Sequence, residues 1–429
     1  MRPASTVLGS LPRMVPAPHG TPRRAPGSGV VWDDALAQYD FGPYHPMSPV
    51  RLQLTHLLAR TAGLLDRPGV EILPAPVAAD AELLSVHTPE LLAAVRRASQ
   101  PGAGLDEDSL ISFGIGGDDV PAFPGMHEAS ARLVGGSLAA IDAITSGRLA
   151  RAVNFAGGMH HARPAQAAGF CVYNDAAVAI RHALAAGEER ILYVDLDVHH
   201  GDGVERALWD EPRAVTLSIH ETGERLYPGT GFVQDTGGAG AQGSAINVPL
   251  PPRTDADGWL RAIGATVPAL ARAVRPTLLV TQHGADSHRS DPLADFGVTL
   301  EAQRAAMLLM REVAEESAGG RWLALGGGGY AVTDVVPRSW AHLVAVITGE
   351  PLPEEGETPA AYAEEARELL RAHGLLDPEA PAEMGLGEQR PLAVRDWSTG
   401  FDPADDLDRA IQAARRTAFP EWGLDPFYD

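Results

Sequence analysis

Short apolar runs alternate with longer stretches of helical periodicity through most of the chain. The clearest runs are rich in β-branched residues and predict buried strands at 190–194, 214–219, 245–248, 277–281 and 321–325. The stretches with helical spacing predict helices at 51–65, 89–98, 127–146, 174–186, 203–209, 258–274, 299–318 and 334–347. Nearly continuous apolar strands are typical of a parallel sheet that is covered by helices on both faces. The pattern therefore predicts an α/β fold.

Polar, glycine-rich segments follow four of the apolar runs. DLDVHHGDG follows the run at 190–194, QHGADSH the run at 277–281, GGGGY the run at 321–325, and AGGMHHARP the short run AVNF. Ligands of open α/β sheets bind outside the carboxyl ends of the strands. We therefore expect these four segments to converge on one site.

The two ends of the chain differ from its centre. Residues 1–28 are rich in Pro and Arg without apolar periodicity, and they predict a disordered leader. Residues 29–350 carry the alternating pattern and predict the main domain, whereas residues 351–429 predict an acidic, helical extension that packs on this domain.

Composition excludes several classes of protein. There are 34 basic against 56 acidic side chains, the formal charge is −22, and every basic residue is Arg, which argues against nucleic-acid binding. The single cysteine, Cys171, excludes an intramolecular disulfide and a cysteine-rich zinc module. No apolar run reaches the ~20 residues of a membrane span and no signal peptide is visible, so we expect a cytoplasmic protein.

One segment predicts a metal site. The two-residue period of a strand puts Asp195, Asp197 and His199 on one face. Buried carboxylates are costly without a cation, and the alternative is a solvent-exposed strand end. Asp286 follows another strand and would supply a third ligand. Two Asp and one His suit catalytic zinc, and also Fe²⁺, Mn²⁺ or Co²⁺.

Acid–base chemistry is indicated by adjacent histidines. His160 and His161 follow two glycines, and Asp195 and Asp202 are available to hydrogen-bond the two imidazoles. Two Asp–His dyads beside a metal are typical of hydrolysis. Four glycines before Tyr330 lack the Lys-Ser/Thr of a phosphate loop, so they predict a closely packed backbone that delivers the phenol to a carbonyl beside the metal.

Six motifs in one order resemble the metal-dependent histone deacetylase superfamily. They are YHPMSPVRLQLTHLL, GMHHARP with GFCVYND, DLDVHHGDG, YPGTG, QHGADSHRSDPL and LGGGGY. The segments HPMSPVR and QHGADSHRSDPL are most similar to those of the bacterial acetoin-utilization deacetylases. The resemblance implies an arginase/deacetylase-like α/β fold with a central, mostly parallel sheet flanked by helices on both faces. It also implies zinc-dependent removal of acetyl groups from lysine side chains.

The resemblance assigns a role to each matching residue. It implies zinc ligands at Asp197, His199 and Asp286, paired histidines at His160 and His161 with carboxylate partners Asp195 and Asp202, and a carbonyl-polarising Tyr330. Of the two histidines we favour His161 as proton shuttle and His160 as electrostatic support. Further implied roles are a substrate tunnel (Gly169, Phe170 and Tyr227), a rim carboxylate (Asp119), an acetate route (Arg51) and a K⁺ site (Asp195, Asp197, His199, Ser218 and Ile219). Many relatives carry Phe where this chain has Tyr227.

Three functions follow as expectations. The first is a protein lysine deacetylase whose partner is an acetylated protein, with acetyl-CoA synthetase as the leading target and with neither nucleic acid nor membrane as partner. The second is an acetylpolyamine or other small-molecule amidohydrolase, because the Asp- and Gly-rich segment 101–125 would suit a narrowed entrance. The third is a non-catalytic protein that binds acetyl-lysine. An arginase-type hydrolase is disfavoured, because a dinuclear manganese cluster requires more carboxylate ligands than these motifs provide.

Overall fold

A parallel β-sheet forms the centre of the protein. The structure, a computed structural model, describes residues 27–100, 107–375 and 384–429. Within these ranges eight strands form one sheet, in the order β2-β1-β3-β8-β7-β4-β5-β6, and all neighbours are parallel. The strands are β1 (Gly27–Val31), β2 (Val70–Leu73), β3 (Leu149–Asn154), β4 (Ile191–Asp195), β5 (Ala214–Glu221), β6 (Ala245–Leu250), β7 (Leu278–Gln282) and β8 (Trp322–Leu325). The predicted fold class is confirmed.

Helices surround the sheet and connect its strands. They are α1 (Val50–Thr61), α2 (Asp80–Leu83), α3 (Pro89–Ala98), α4 (Glu107–Ile111), α5 (Met126–Thr145), α6 (Asp175–Ala185), α7 (Asp202–Leu208), α8 (Ala256–Val274), α9 (Leu300–Ser317), α10 (Val335–Thr348), α11 (Ala360–Ala372) and α12 (Asp406–Ala418). The eight helices predicted from spacing are confirmed. The first of them ends at Thr61 rather than at residue 65, because Gly63 adopts a φ of +68° that stops a helix. No helix among the described residues is long and apolar enough to cross a bilayer.

The two strands at one edge of the sheet, β1 and β2, were not predicted from the sequence. The sequences of β1 (GSGVV) and β2 (VEIL) are short and lack a long apolar run. In β1, a Cβ on Gly29 would lie 2.7 Å from Leu73 Cδ1, so the glycine lets β1 pack closely on β2. β1 also begins at Gly27, inside the segment predicted as a leader. The remainder of that segment, residues 1–26, lies outside the described residues.

The central strands end at one level. In β4 and β7, Asp195 is paired with Gln282, and Gln282 is paired in turn with Leu325 of β8. Leu325 is paired with Asn154 of β3. The polar segments that follow these four strands therefore begin side by side, as the sequence predicted.

The C-terminal extension, residues 351–429, packs on both sides of the molecule. Helix α11 contacts α1, and α12 contacts the edge strand β6 together with α8. The sequence did not predict α12, although Ile411, Ala414 and Ala418 repeat at helical spacing and are buried. Residues 376–383 of the extension lie outside the described residues.

Candidate metal centre

Three buried side chains meet beyond the carboxyl ends of β4 and β7. Asp197, His199 and Asp286 each offer one ligand atom, and these atoms all lie within 4.8 Å of one another. His199 Nδ1 lies 3.0 Å from Asp197 Oδ1 and 3.1 Å from Asp286 Oδ2. The structure thus brings together the three residues that the sequence singled out as metal ligands.

In Asp197 and Asp286, the carboxylate oxygen that faces away from the cluster accepts hydrogen bonds, and these orient the side chain. Asp197 Oδ2 accepts hydrogen bonds from Gln282 Nε2 at 2.7 Å and from the backbone N of Gly328 at 2.9 Å. Asp286 Oδ1 accepts from the backbone N of Val198 at 3.1 Å. One oxygen of each carboxylate therefore remains directed at the centre of the cluster, where a ligand atom would be needed.

The charges of the cluster fit a divalent cation. Burial, followed by the charge of Asp197, raises the pKa of Asp286 to about 7. Two buried carboxylates this close are unfavourable unless a cation lies between them. Two carboxylate oxygens and an imidazole nitrogen form a donor set that zinc and Fe²⁺ both accept. The residues present therefore fit the metal that the sequence analysis expected.

Two Asp–His dyads lie beside this cluster. His160 Nδ1 lies 2.9 Å from Asp195 Oδ2, and His161 Nδ1 lies 2.8 Å from Asp202 Oδ1. The two Nε2 atoms are 3.0 Å apart. Each carboxylate fixes the tautomer of its own imidazole and leaves Nε2 for the neighbouring ring or for a substrate.

The environment gives the two imidazoles different charges. Burial opposes a charge on His160, but Asp195 and Asp197 outweigh it and raise the pKa of His160 to about 9. Burial and the charge on His160 lower the pKa of His161 to about 3. These surroundings favour the charged form of His160 and the neutral form of His161.

A network that sequence analysis missed holds the histidine segment. Asp175 Oδ1 accepts hydrogen bonds from the backbone N of Gly158 at 2.9 Å and of Met159 at 2.8 Å. Asn174 Nδ2 donates to the carbonyl oxygens of His160 and Ala162, at 3.3 and 2.9 Å. Both residues belong to the quoted motif GFCVYND, which was the available signal.

The glycine run packs against the metal ligands. A Cβ on Gly328 would lie 1.9 Å from Asp286 Oδ2, and one on Gly327 would lie 2.1 Å from Gln282 Nε2. Any larger residue there would displace a ligand or its support. The run ends at Tyr330, whose backbone N donates to Asp291 Oδ2 at 2.8 Å.

Tyr330 faces the aromatic wall of the site. Its ring is perpendicular to that of Phe170, with centroids 5.6 Å apart. Burial, followed by the charges of Asp286 and Asp197, raises the pKa of Tyr330 well above its ordinary value. The phenol therefore stays protonated and is able to donate a hydrogen bond.

Arg51 supports the glycine run from behind. Its Nη1 donates to Gly327 O at 2.9 Å and to Gly329 O at 3.2 Å, and its guanidinium lies 5.0 Å from the ring centroid of Trp340. Arg51 also lines a cavity of about 10 Å³, which holds about one water molecule, together with Tyr39 and other residues of α1 and α5. The acetate route at Arg51 stays a prediction.

The wall at Gly169 and Phe170 has an unusual backbone. Both residues have positive φ values, +54° and +64°, and that of Phe170 is unfavourable for a residue with a Cβ. Asp119 stabilises it by accepting from Gly169 N at 3.0 Å and Phe170 N at 3.3 Å, while the Tyr39 hydroxyl donates to Phe170 O at 2.7 Å. Asp119, expected to grip substrate amides, here binds the amides of this wall.

Tyr227 completes the exposed part of the site. Its ring is perpendicular to that of His161 at 5.0 Å, and 44% of Tyr227 is exposed. Tyr227 therefore lies between His161 and solvent, and its place in a substrate tunnel stays a prediction.

The residues proposed for K⁺ binding lie on adjacent strands. Asp195 of β4 is paired with Ser218 of β5, and Ile219 follows directly. Ser218 Oγ lies 2.8 Å from His220 Nδ1. K⁺ binding itself stays a prediction.

Comparison with known proteins identifies the family. The family model described as "Histone deacetylase domain" matches residues 45–347. The chain is 40% identical to "Acetoin utilization protein AcuC" of Bacillus subtilis (strain 168) over 314 residues, 73% of this chain and 80% of that protein. It is 35% identical to the protein of the same name from Staphylococcus xylosus, over 78% of this chain and 86% of that protein.

Solved structures agree with the sequence relatives. The crystal structure of an HDAC homolog from Aquifex aeolicus aligns with a TM-score of 0.76 at 26% identity, over 90% of this chain and 99% of that one. An HDAC homolog complexed with SAHA aligns with the same TM-score and identity, over 92% of this chain and 100% of that one. The arginase/deacetylase fold implied by the motifs is thus confirmed, and the chain belongs to the histone deacetylase family.

Proposed function

We propose that this deacetylase hydrolyses acetyl-lysine side chains of proteins to lysine and acetate, with zinc as its metal. The observation that carries the proposal is the convergence of one donor set for a cation, two Asp–His dyads and a protonated Tyr330 beside an aromatic wall. Fe²⁺ fits the same donor set and is the alternative metal. A non-catalytic reader of acetyl-lysine would need neither the dyads nor the phenol.

The metal and the phenol would act on the acetyl carbonyl. Asp197, His199 and Asp286 would hold a divalent cation, which would polarise this carbonyl and lower the pKa of the attacking water. Tyr330 donates its O–H to the same carbonyl oxygen and stabilises the negative charge that develops there. Asp291 holds the backbone of Tyr330 in place during this step.

The histidine pair would move the proton. His161 is neutral and lies next to Tyr227, so it takes the proton of the attacking water at Nε2 while Asp202 holds Nδ1–H. His161 then returns the proton to the leaving lysine amine. His160 remains charged between Asp195 and the reaction centre and supports the oxyanion electrostatically.

The substrate is proposed from the wall of the site and from the relatives. Phe170 and Tyr227 offer ring faces and edges that suit the aliphatic stem of a lysine. The matched relatives are named for acetoin utilization. We propose acetyl-CoA synthetase as the protein target, as the resemblance of the motifs implied. We also propose that the enzyme acts in the cytoplasm.

An assay of two substrates with and without chelator tests the proposal. The zinc-loaded protein is expected to hydrolyse a fluorogenic acetyl-lysine peptide with a higher kcat/KM than acetylspermidine. A chelator should abolish turnover, and added zinc should restore it. A preference for acetylspermidine would identify a small-molecule amidohydrolase instead, and tight binding of the peptide without turnover would identify a non-catalytic protein.

The variant Tyr330→Phe tests the role of the phenol. Removing one donor to a developing oxyanion costs about 100- to 1,000-fold in kcat, so the variant should bind the peptide with little change in Kd but lose most turnover. Tyr428→Phe is the matched control, because Tyr428 is 90% exposed. An unchanged kcat for Tyr330→Phe would contradict this mechanism.

A further inference from the structure

One loop connects a metal ligand to Tyr330. This segment, residues 286–291, is called the ligand loop. It begins with Asp286, and it ends with Asp291, whose Oδ2 accepts from the backbone N of Tyr330 at 2.8 Å. Its position therefore fixes one ligand of the cation and, at the same time, the backbone that carries the phenol.

The carboxylate of Glu388, in the C-terminal extension, binds two side chains of the ligand loop. Glu388 Oε1 accepts from Arg289 Nη2 at 2.7 Å, and Glu388 Oε2 lies 3.2 Å from His288 Nε2. His288 Nδ1 accepts from the backbone N of Ser290 at 3.1 Å, so Nε2 carries the hydrogen and donates it to Glu388. The His288 side chain is 1% exposed, which makes this contact difficult to replace with water.

Glu388 is itself held rigidly. Its backbone N donates to Glu301 Oε1 at 2.6 Å, at the start of α9. A Cβ on Gly387 would lie 2.5 Å from Glu354 O and 2.8 Å from Glu301 Oε1, so the backbone before Glu388 fits closely. His342 Nε2 of α10 donates to Leu386 O at 3.0 Å. The carboxylate thus extends from a fixed backbone and is able to restrain the loop.

We propose that Glu388 is a positioning residue for the reaction: it restrains the ligand loop so that Asp286 and, through Asp291, Tyr330 keep their places. This inference rests on the proposed function for its catalytic readout. The match to the histone deacetylase domain ends at residue 347, and Glu388 lies in the extension that follows it. The Glu388 carboxylate binds His288 and Arg289 of the ligand loop and the backbone N of Leu300, so it would act on Asp286 and Tyr330 through the ligand loop.

Variants of Glu388 test the inference. In Glu388→Ala, kcat for the acetyl-lysine peptide is expected to fall tenfold or more while KM changes less than threefold. Amide hydrogen exchange in peptides covering residues 286–291 and 328–330 should become at least tenfold faster, and zinc should pass faster to a chelator. Glu388→Gln keeps the shape of the side chain and one acceptor oxygen. Its changes in kcat, exchange and zinc release should therefore be about half as large, on a logarithmic scale, as those of Glu388→Ala.

Glu354→Ala is the matched control. Glu354 belongs to the same extension and pairs with Arg304 at 2.7 Å, and its side chain does not contact the ligand loop. Its kcat, exchange and zinc release should equal those of the unaltered protein.

Unchanged kcat and exchange in Glu388→Ala would overturn the inference, as would equal losses in Glu354→Ala. If Glu388→Ala does not fold, Glu388→Gln decides, and values equal to those of the unaltered protein then overturn it. If the unaltered protein fails to hydrolyse acetyl-lysine, the proposed function fails, and exchange and zinc release still decide the role of Glu388.

Discussion

Burial keeps the His87 ring uncharged, and two hydrogen bonds fix its tautomer. His87 Nε2 accepts from the backbone N of Asn174 at 2.9 Å, and its Nδ1 donates to Arg163 O at 3.2 Å. Burial lowers the pKa of His87 to about 4. The ring therefore stays neutral, and it supports Asn174, which in turn holds the carbonyl of His160. Because a proton on Nε2 would face a donor, the neutral state of His87 is part of the fold.

His87 should make the protein sensitive to acid. Its pKa is about 4 when folded and about 6.5 when unfolded, so unfolding takes up a proton between these values and stability falls as the pH drops below about 6.5. At pH 5 this residue alone costs about 2 kcal/mol. His87→Gln keeps an acceptor and a donor without titrating. Its unfolding free energy from urea denaturation should therefore fall about 2 kcal/mol less between pH 7.5 and 5.

The exposed His373 provides the control for this measurement. His373→Gln should keep the pH dependence of the unaltered protein. Identical pH dependence in His87→Gln and the unaltered protein would contradict the assignment of a neutral His87.

The sequence predicted side chains with their own chemistry better than those that orient them. Asp197, His199 and Asp286 are ligand types at the ends of predicted strands, and the structure brings them together. Gln282 was missed because an amide signals no chemistry by its type. Its role depends on the register of β7 beside β4, which brings Gln282 Nε2 to 2.7 Å from Asp197, and register is not visible in a single sequence. Glu388 was missed for the same reason, since its partners lie about 100 residues away.

At the scale of elements, the periodic pattern of apolar residues was sufficient to predict the central strands and most helices. Helix α12 was missed because Ala, Arg and Asp make up most of it and only a narrow row of small and apolar residues faces the protein. Strands β1 and β2 were missed because four or five residues carry too little pattern. Short or highly charged elements acquire their structure from the surface on which they pack.

An ion pair attaches α12 to the domain. Arg261 of α8 donates to Asp408 of α12 through Nε at 2.7 Å and through Nη2 at 2.9 Å, and the two side chains are 3% and 0% exposed. Asp408 also accepts from Arg395 Nη2 at 2.7 Å. Asp408→Ala would leave a buried guanidinium without its partner, which costs about 3 kcal/mol or more. The variant should therefore unfold at a lower temperature in a calorimetric scan.

Asp406→Ala is the control for this variant. Asp406 pairs with Arg409 on the exposed face of the same helix, and such pairs contribute little to stability. Its unfolding temperature should be nearly that of the unaltered protein. An equally small change in Asp408→Ala would show that the buried pair does not attach α12.

For the whole molecule, the charge of −22 bears on the choice of substrate. A strongly acidic protein attracts cationic partners, and this attraction is screened by salt. If the substrates are protein segments, kcat/KM for an acetyl-lysine peptide flanked by arginines should fall several-fold when NaCl is raised from about 20 to about 200 mM. A peptide of the same length flanked by Ser and Gly should respond much less. Equal salt responses would show that the overall charge has no part in substrate capture.

The fold class followed from the sequence, but the physiological substrate did not. Strand pattern and motif order are local in the sequence, whereas the residues that would narrow an entrance come from segments such as 101–125, part of which lies outside the described residues.

Strands β3, β8, β7 and β4 end side by side in the sheet, and this arrangement has a consequence for folding. Asp197 and His199 follow β4, whereas Asp286 follows β7 and lies 87 residues beyond His199 in the sequence. The two strands lie side by side only in the assembled sheet, and closing so long a loop costs conformational entropy. The cation should therefore bind the folded chain and not its fragments. By mass action it should stabilise the whole sheet, so that the loss of metal and the loss of structure accompany each other.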